Sequence, residues 1–175
     1  MKKVYLLTGT PGTGKTTIIK EALARTKVSA GGFYTEEIRL GGVRQGFKLI
    51  SLDGQDAILA HINISSPHRV GKYGVDVDGL DRVGVSALNK AVREGDLVVV
   101  DEIGKMELFS ANFRRAVLEA IESDKKVLGT IMYRPHPWAD EIKNHPKVKV
   151  LVVTRTNHNQ VLEEIQSWLR HEDNS

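Results

Sequence analysis

One eight-residue segment constrains this chain more than any other feature. It consists of Gly9, Thr10, Pro11, Gly12, Thr13, Gly14, Lys15 and Thr16. These residues match G-x-x-x-x-G-K-[ST], the pattern of a phosphate-binding P-loop, at every fixed position. An apolar run, Val4–Thr8, precedes the segment, and residues 15–25 have helical apolar spacing. A strand, a loop and a helix in this order predict the opening unit of an α/β fold.

The chemistry of a triphosphate explains the spacing in this loop. A triphosphate needs several N–H donors directed inward, and only small residues let the backbone approach so closely. The helix after the loop adds unpaired amides and the positive end of its dipole. We therefore expect Lys15 to contact the β- and γ-phosphates in a catalytic role and the Thr16 hydroxyl to bind Mg²⁺.

A pair of carboxylates marks a second candidate site. Asp101 and Glu102 directly follow the apolar residues 97–100. Ligands of open α/β sheets bind beyond the carboxyl ends of the strands, so this pair should lie at the same edge as the P-loop. We expect Asp101 to face the P-loop and hold Mg²⁺, directly or through its water, and Glu102 to take a proton from the attacking water. Taken alone, the pair also fits a solvated acidic turn.

The remaining pattern predicts a mainly parallel sheet between helices, with an antiparallel insertion. The insertion has strand-like residues 31–39, 43–52 and 57–64, separated by Gly41–Gly42 and Asp53–Gly54. Residues 65–78 resemble a loop, and residues 80–92 resemble a helix. Further strands are predicted at 127–133 and 148–153, and further helices after Ser110, near 138–143 and after Asn157. Asn157 and Gln160 resemble a capping box.

Composition excludes several classes of protein. The chain has 175 residues, 41% of them apolar, and no cysteine. We expect one domain spanning residues 1–175, without disulfides or cysteine-bound zinc. No stretch approaches the ~20 apolar residues of a membrane span, and we expect a cytoplasmic protein. The net charge is +3 with scattered Lys and Arg, so we do not expect nucleic-acid binding.

One longer segment resembles a known family. Residues 101–109 read D-E-I-G-K-M-E-L-F, and this run is similar to the thermophile nucleoside-triphosphatase family, whose animal relative is called the cancer-related nucleoside-triphosphatase. Residues 32–39, 69–75 and 128–131 resemble the same family. One departure lies after G-T-I, where the family often has proline and this chain has Met132.

The resemblance implies a RecA-like variant of the P-loop NTPase fold. It implies slow hydrolysis of ATP, GTP and other nucleoside triphosphates to diphosphate and phosphate, with a catalytic glutamate beside the Walker B aspartate. It also implies nucleotide contacts with residues 9–16 and with a second segment. That second segment comprises Val100, Asp101, Glu102, Ile103, Gly104, Lys105, Met106 and Glu107.

Two other functions remain open from the sequence. One is a nucleotide or small-molecule kinase, which would bind a phosphate acceptor other than water. The other is a non-enzymatic nucleotide-binding or RNA-associated regulator, which would transfer no phosphate. The chain lacks the guanine-reading N-K-x-D motif, because residues 154–157 read T-R-T-N at the comparable strand end. We therefore expect low base specificity.

Several polar residues have two readings each. Thr130 could polarise the attacking water or pack within a strand. Arg69 and Lys72 could contact the γ-phosphate or remain solvated. Lys105 could contact phosphate or pair with Glu107. The roles of residues 134–138, including Arg134, His136 and Trp138, are left open.

Overall fold

Nine strands form one mixed sheet in the computed structural model, which describes residues 2–171. The strands are β1 (Val4–Thr8), β2 (Ala30–Leu40), β3 (Val43–Ser51), β4 (Asp56–His61), β5 (Arg69–Val70), β6 (Tyr73–Val75), β7 (Leu97–Ile103), β8 (Lys126–Ile131) and β9 (Val148–Val152). Their order across the sheet is β5-β6-β4-β3-β2-β7-β8-β1-β9. Neighbours from β2 to β9 in this order pair in parallel, and those from β5 to β2 pair antiparallel. This is the α/β architecture that the sequence predicts.

Helices cover both faces of the parallel part of the sheet. They are α1 (Lys15–Ala24), α2 (Val77–Gly79), α3 (Ser86–Glu94), α4 (Ala111–Glu122), α5 (Pro137–Lys143) and α6 (His158–Arg170). A π-helical turn joins α2 to α3, and a short 3₁₀ turn precedes α4. Tyr5 and Leu7 pack with α1 and α6, whereas Val4 and Leu6 pack with α3, α4 and α5. No helix within residues 2–171 is long and apolar enough to cross a membrane.

The alternation of side chains along β7 determines where Asp101 points. Leu97 and Val99 belong to the core layer beneath α1 and α6, and Val98 and Val100 belong to the opposite layer. Successive side chains in a strand point to opposite faces. Asp101 therefore points to the face that carries α1, the helix that follows the P-loop.

The antiparallel insertion confirms the predicted hairpins. β2 pairs with β7 through Phe33 and then continues along β3 as a long hairpin. Its turn residues Gly41 and Gly42 have φ of 58° and 79°, as a tight two-residue hairpin turn requires at both positions. Gly54, with φ of 93°, lies in the turn between β3 and β4.

The prediction of a loop over residues 65–78 was wrong. Within that range β5 and β6 form a small hairpin around Gly71, and α2 begins at Val77. Strands of two and three residues are too short to show an alternating pattern. Tyr73 and Val75 are nevertheless buried, which fixes the hairpin to the core.

The predicted capping box at the start of α6 was also wrong. Asn157 precedes the helix, but its side chain makes no capping hydrogen bond to it. The amide instead accepts from the Thr154 N–H at 2.7 Å and donates to the Val152 carbonyl at 2.8 Å. Ser110, by contrast, caps α4 as predicted, and its hydroxyl oxygen accepts from the Phe113 N–H at 3.0 Å.

Candidate active site

Glycines shape the loop that connects β1 to α1. Gly9, Gly12 and Gly14 have φ of 151°, 80° and 85°, in the region that favours glycine. A Cβ atom at Gly9 would lie 2.5 Å from the Val153 carbonyl oxygen, so any side chain there would force the loop away from β9. Since α1 begins at Lys15, the unpaired amides of its first turn open toward the loop.

The Lys15 ammonium lies over the loop itself. It donates to the Gly9 carbonyl at 2.9 Å and to the Thr10 carbonyl at 3.1 Å. Thr13 is buried and its hydroxyl donates to the same Thr10 carbonyl at 3.0 Å. Pro11 lies at the exposed tip of the loop. The positive charge of Lys15 is therefore held against the backbone of the P-loop.

Two threonine hydroxyls hold the Asp101 carboxylate. The Thr16 hydroxyl donates to one carboxylate oxygen at 2.6 Å, and the Thr130 hydroxyl donates to the other at 2.7 Å. Asp101 is 3% exposed, so its orientation is fixed. The sequence suggested that Thr130 polarises the attacking water or packs within a strand, and neither interpretation included this contact with Asp101. The contact forms because β7 and β8 are neighbours in the sheet.

Burial and the neighbouring groups have opposite effects on the pKa of Asp101. Burial raises the pKa of Asp101, while hydrogen bonds from Thr16 and Thr130 and the charges of Lys20 and Lys15 lower it. A hydroxyl and a carboxylate together offer the hard oxygen donors that Mg²⁺ prefers, with space left for phosphate and water ligands. The residues present at this position therefore fit a magnesium ion.

Two further carboxylates converge on Gly104. A Cβ atom on Gly104 would lie 2.6 Å from Glu102 Oε1 and 3.0 Å from Glu107 Oε2. Glu107 is 4% exposed, although acidic residues are rarely buried unless they have partners. The glycine at position 104 thus leaves room for two acidic side chains in one small space.

The charges of these groups influence one another. Burial raises the pKa of Glu102, and Asp101 raises it further, whereas Lys15 lowers it. Burial raises the pKa of Glu107 well above its ordinary value, and Glu102 adds to the rise. Backbone N–H groups of Glu107 and Gly104 oppose that rise. The result is that Glu102, a carboxylate with a raised pKa, lies close to Lys15 of the P-loop.

Other members of the predicted segment 100–107 lie in different surroundings. Val100 and Ile103 are core residues and Met106 packs against the core. Lys105 is exposed. The suggested ion pair between Lys105 and Glu107 does not form, since none of the ion pairs among residues 2–171 includes Lys105.

Arg69 and Lys72 lie at the far edge of the sheet. Arg69 donates to the Ile64 carbonyl at 3.3 Å and to the Lys72 carbonyl at 3.0 Å. The Lys72 ammonium lies 5.6 Å from the centre of the Tyr73 ring. Four strands separate β5 from β7. Both cations therefore serve their own hairpin in this structure and are not brought to the P-loop.

The residues after β8 divide between structure and surface. His136 Nδ1 accepts from the Trp138 N–H at 3.2 Å and so caps α5. Trp138 is partly buried and packs against the core layer that α3, α4 and α5 cover. Arg134 is exposed, and so is Tyr133.

Two side chains beside the carboxylates were missed in the sequence. Burial, together with the charge of Asp101, raises the pKa of Tyr34 to about 12. The Lys20 ammonium lies 5.0 Å from the centre of the Tyr34 ring and 3.7 Å from a Glu36 oxygen. Tyr34 lies in the segment 32–39 that resembles the family, but that resemblance indicates no contact with Asp101, and only the pairing of β2 with β7 brings Tyr34 near it.

Comparisons with known proteins identify relatives of this chain over nearly its whole length. A family model described as NTPase matches residues 4–166. The nucleoside-triphosphatase THEP1 of Thermotoga maritima is 48% identical over 165 residues, which cover 94% of each chain. The human cancer-related nucleoside-triphosphatase is 38% identical, and the match covers 94% of this chain and 95% of the human one.

Two solved structures share the fold. The crystal structure of THEP1 from Aquifex aeolicus superimposes with a TM-score of 0.87 at 36% identity, and the match covers 96% of this chain and 99% of that one. The solution structure of the human protein gives 0.81 at 38% identity, and the match covers 97% and 98% of the two chains. This chain therefore belongs to the NTPase family, a group of hydrolases with a P-loop fold.

Proposed function

We propose that the chain hydrolyses ATP, GTP and other nucleoside triphosphates to diphosphate and phosphate, with Mg²⁺ and with low base specificity. The observation that carries the proposal is the 2.6 Å contact between Thr16 and Asp101. It joins the helix after the P-loop to the strand that carries Glu102. The names of the relatives, nucleoside-triphosphatases, agree with this reaction.

Thr16 and Asp101 would hold the metal. Their oxygens are the donors that a P-loop protein provides for Mg²⁺. When bound, Mg²⁺ neutralises part of the charge that develops on the phosphate oxygens. Thr130 would not bind the metal itself. Its hydrogen bond fixes the Asp101 carboxylate in the orientation that faces Thr16.

Lys15 and the loop amides bind the phosphates. The Lys15 ammonium already lies over the loop, where it donates to the carbonyls of Gly9 and Thr10. When a triphosphate binds, its anionic oxygens replace these two carbonyls as the acceptors of Lys15. The amides of residues 9–16 and the positive end of α1 stabilise the same charge. Together they position the γ-phosphate for attack from the side of Glu102.

Glu102 accepts the proton of the attacking water. The water oxygen forms a bond to the γ-phosphorus, the bond from that phosphorus to the β–γ bridging oxygen breaks, and the water proton passes to Glu102. A base works best when its pKa lies near the working pH, and burial moves the pKa of Glu102 in that direction. The kinase alternative is not favoured, because Arg69 and Lys72, the two cations that could have contacted the γ-phosphate, make contacts within their own hairpin.

The direct experiment measures phosphate release from ATP, GTP, CTP and UTP with Mg²⁺ and with no other acceptor. Lys15→Ala should reduce release to background, while Lys27→Ala, an exposed lysine beyond α1, should keep it. Excess EDTA should stop the wild-type reaction. Phosphate release that requires an added acceptor would replace the hydrolase with a kinase.

A further inference from the structure

A groove of about 300 Å³ lies beside the P-loop, at the edge of the sheet where β8, β1 and β9 end. Gly9 and Thr10 of the P-loop line the groove, together with Val152 at the end of β9. Tyr133 borders one side of it, and Thr154 and Arg155 border the other. The groove is separate from the carboxylates described above but shares the P-loop with them.

The sheet order determines which end of a nucleotide reaches this groove. Asp101 stands on β7, two positions from β1 on one side, and β9 adjoins β1 on the other side. A terminal phosphate near Lys15 and Glu102 therefore leaves the rest of the nucleotide to extend across the P-loop toward β9. The groove is located along that direction.

Tyr133 gives the groove an aromatic face. Its side chain is 55% exposed, so it is one of the exposed large apolar side chains of residues 2–171. Within residues 2–171 its hydroxyl makes no hydrogen bond, and its ring is not paired with another aromatic ring. Exposed rings of this kind are the surfaces on which nucleobases stack.

The opposite side of the groove is held in place by Asn157. Its side-chain amide bonds to the Thr154 N–H and the Val152 carbonyl, at 2.7 Å and 2.8 Å. These two bonds fix the connection between β9 and α6 before any ligand binds. The groove is thus preorganised on this side, which reduces the entropy that binding costs.

We propose that this groove holds the nucleobase and ribose, with the base stacked on the ring of Tyr133. This assignment rests on the proposed hydrolysis of nucleoside triphosphates and adds to it a residue that binds the base. Every base presents a π-face, so stacking tolerates all four bases. A stacking face in place of a base-edge reader accounts for low base specificity in a site without N-K-x-D.

The test compares a ligand that has a base with one that has none. Calorimetry measures the affinities of Mg-ADP and of inorganic tripolyphosphate with Mg²⁺ for the wild type and for Tyr133→Ala and Tyr133→Phe. Tyr133→Ala should weaken Mg-ADP by about tenfold, within the range for loss of one stacked base. Tripolyphosphate should change by less than about twofold, since the affinity lost is that of the base alone. Tyr133→Phe keeps the ring and should bind both as the wild type does.

Controls separate this inference from the proposed function. Leu40→Ala removes an even more exposed apolar side chain, 74% against 55%, at the end of β2 and should change neither affinity. Lys15→Ala should weaken both ligands. If Lys15→Ala weakens both but Tyr133→Ala leaves Mg-ADP unchanged, the base site is wrong and the phosphate site stands. Equal weakening of both ligands by Tyr133→Ala would also overturn the base site, and no effect of Lys15→Ala would overturn the proposed function.

Discussion

The Thr16 hydroxyl donates a hydrogen bond of 2.6 Å to the Asp101 carboxylate across 85 residues of sequence. The contact forms because Asp101 shares a face of the sheet with Leu97 and Val99, and α1 covers that face. It places a hydroxyl and a carboxylate side by side at the edge of the P-loop. Binding of Mg²⁺ would depend on this pair and on Thr130, which orients the Asp101 carboxylate.

Thr130 orients Asp101, so its removal should weaken magnesium binding. Thr130→Val keeps the shape of the buried side chain but removes the hydrogen bond of 2.7 Å to the carboxylate. Loss of such a supporting bond typically lowers metal affinity about 10- to 100-fold. We expect the Mg²⁺ concentration that half-saturates phosphate release to rise by at least about tenfold, and Thr130→Ser to restore it. An unchanged magnesium titration would show that Thr130 only packs.

Gly104 leaves space for two carboxylates, so a methyl group there should displace the base. The added Cβ of Gly104→Ala would lie 2.6 Å from Glu102 Oε1, and Glu102 has to move. Small displacements of a reacting group cost up to about 100-fold in rate. Single-turnover hydrolysis should slow by about that factor, with nucleotide affinity nearly unchanged. A wild-type rate in the folded variant would contradict the position assigned to Glu102.

The burial of Glu107 should make stability depend on pH. Its pKa is raised well above the ordinary value of 4.5, so the folded chain binds this proton more tightly than the unfolded chain. The free energy of unfolding therefore falls as the pH rises from about 4.5 toward the raised pKa. The raised pKa values of Asp101 and Glu102 act in the same direction.

Glu107→Gln should reduce this pH dependence. Urea unfolding in EDTA at several pH values between about 5 and 8 measures the slope, which linkage predicts to be shallower in the variant. The control is Glu119→Gln, an exposed carboxylate on α4, which should keep the wild-type slope. Identical slopes for Glu107→Gln and the wild type would mean that Glu107 is not protonated preferentially in the folded chain.

Low base specificity has a measurable limit. The values of kcat/KM for ATP, GTP, CTP and UTP should lie within about 100-fold of one another, the discrimination that loose pocket contacts supply. Steady-state kinetics with the four nucleotides at saturating Mg²⁺ provide the comparison. A preference of about 10⁴-fold for one base would require hydrogen-bonding groups that read its edge.

The sequence predicted the features that are set by local pattern. The Gly41–Gly42 turn, the cap at Ser110 and the side of the sheet to which Asp101 points are all confirmed. Each depends on a turn conformation, a single hydrogen bond or a period of two residues. That these residues bind and hydrolyse a nucleotide stays a prediction.

Features that depend on contacts distant in sequence could not be predicted. Thr130 meets Asp101 only because β7 and β8 are neighbours. Tyr34 approaches Asp101 because β2 pairs with β7. Asn157 is a residue type that often caps helices, yet its side-chain amide donates to the carbonyl of Val152, which precedes it in the chain. The sequence pattern does not distinguish these two partners.

The most direct test of the central claim is the behaviour of Glu102→Gln, compared with Asp101→Asn. Calorimetry gives the affinity for Mg-NTP, and rapid quench gives the single-turnover rate. Glu102→Gln should keep its affinity and lose about 10²- to 10⁴-fold in rate, as removal of a general base does. Asp101→Asn should lose affinity and rate together. If Glu102→Gln keeps more than about a tenth of the wild-type rate, well short of that range, another group accepts the proton and the mechanism is contradicted.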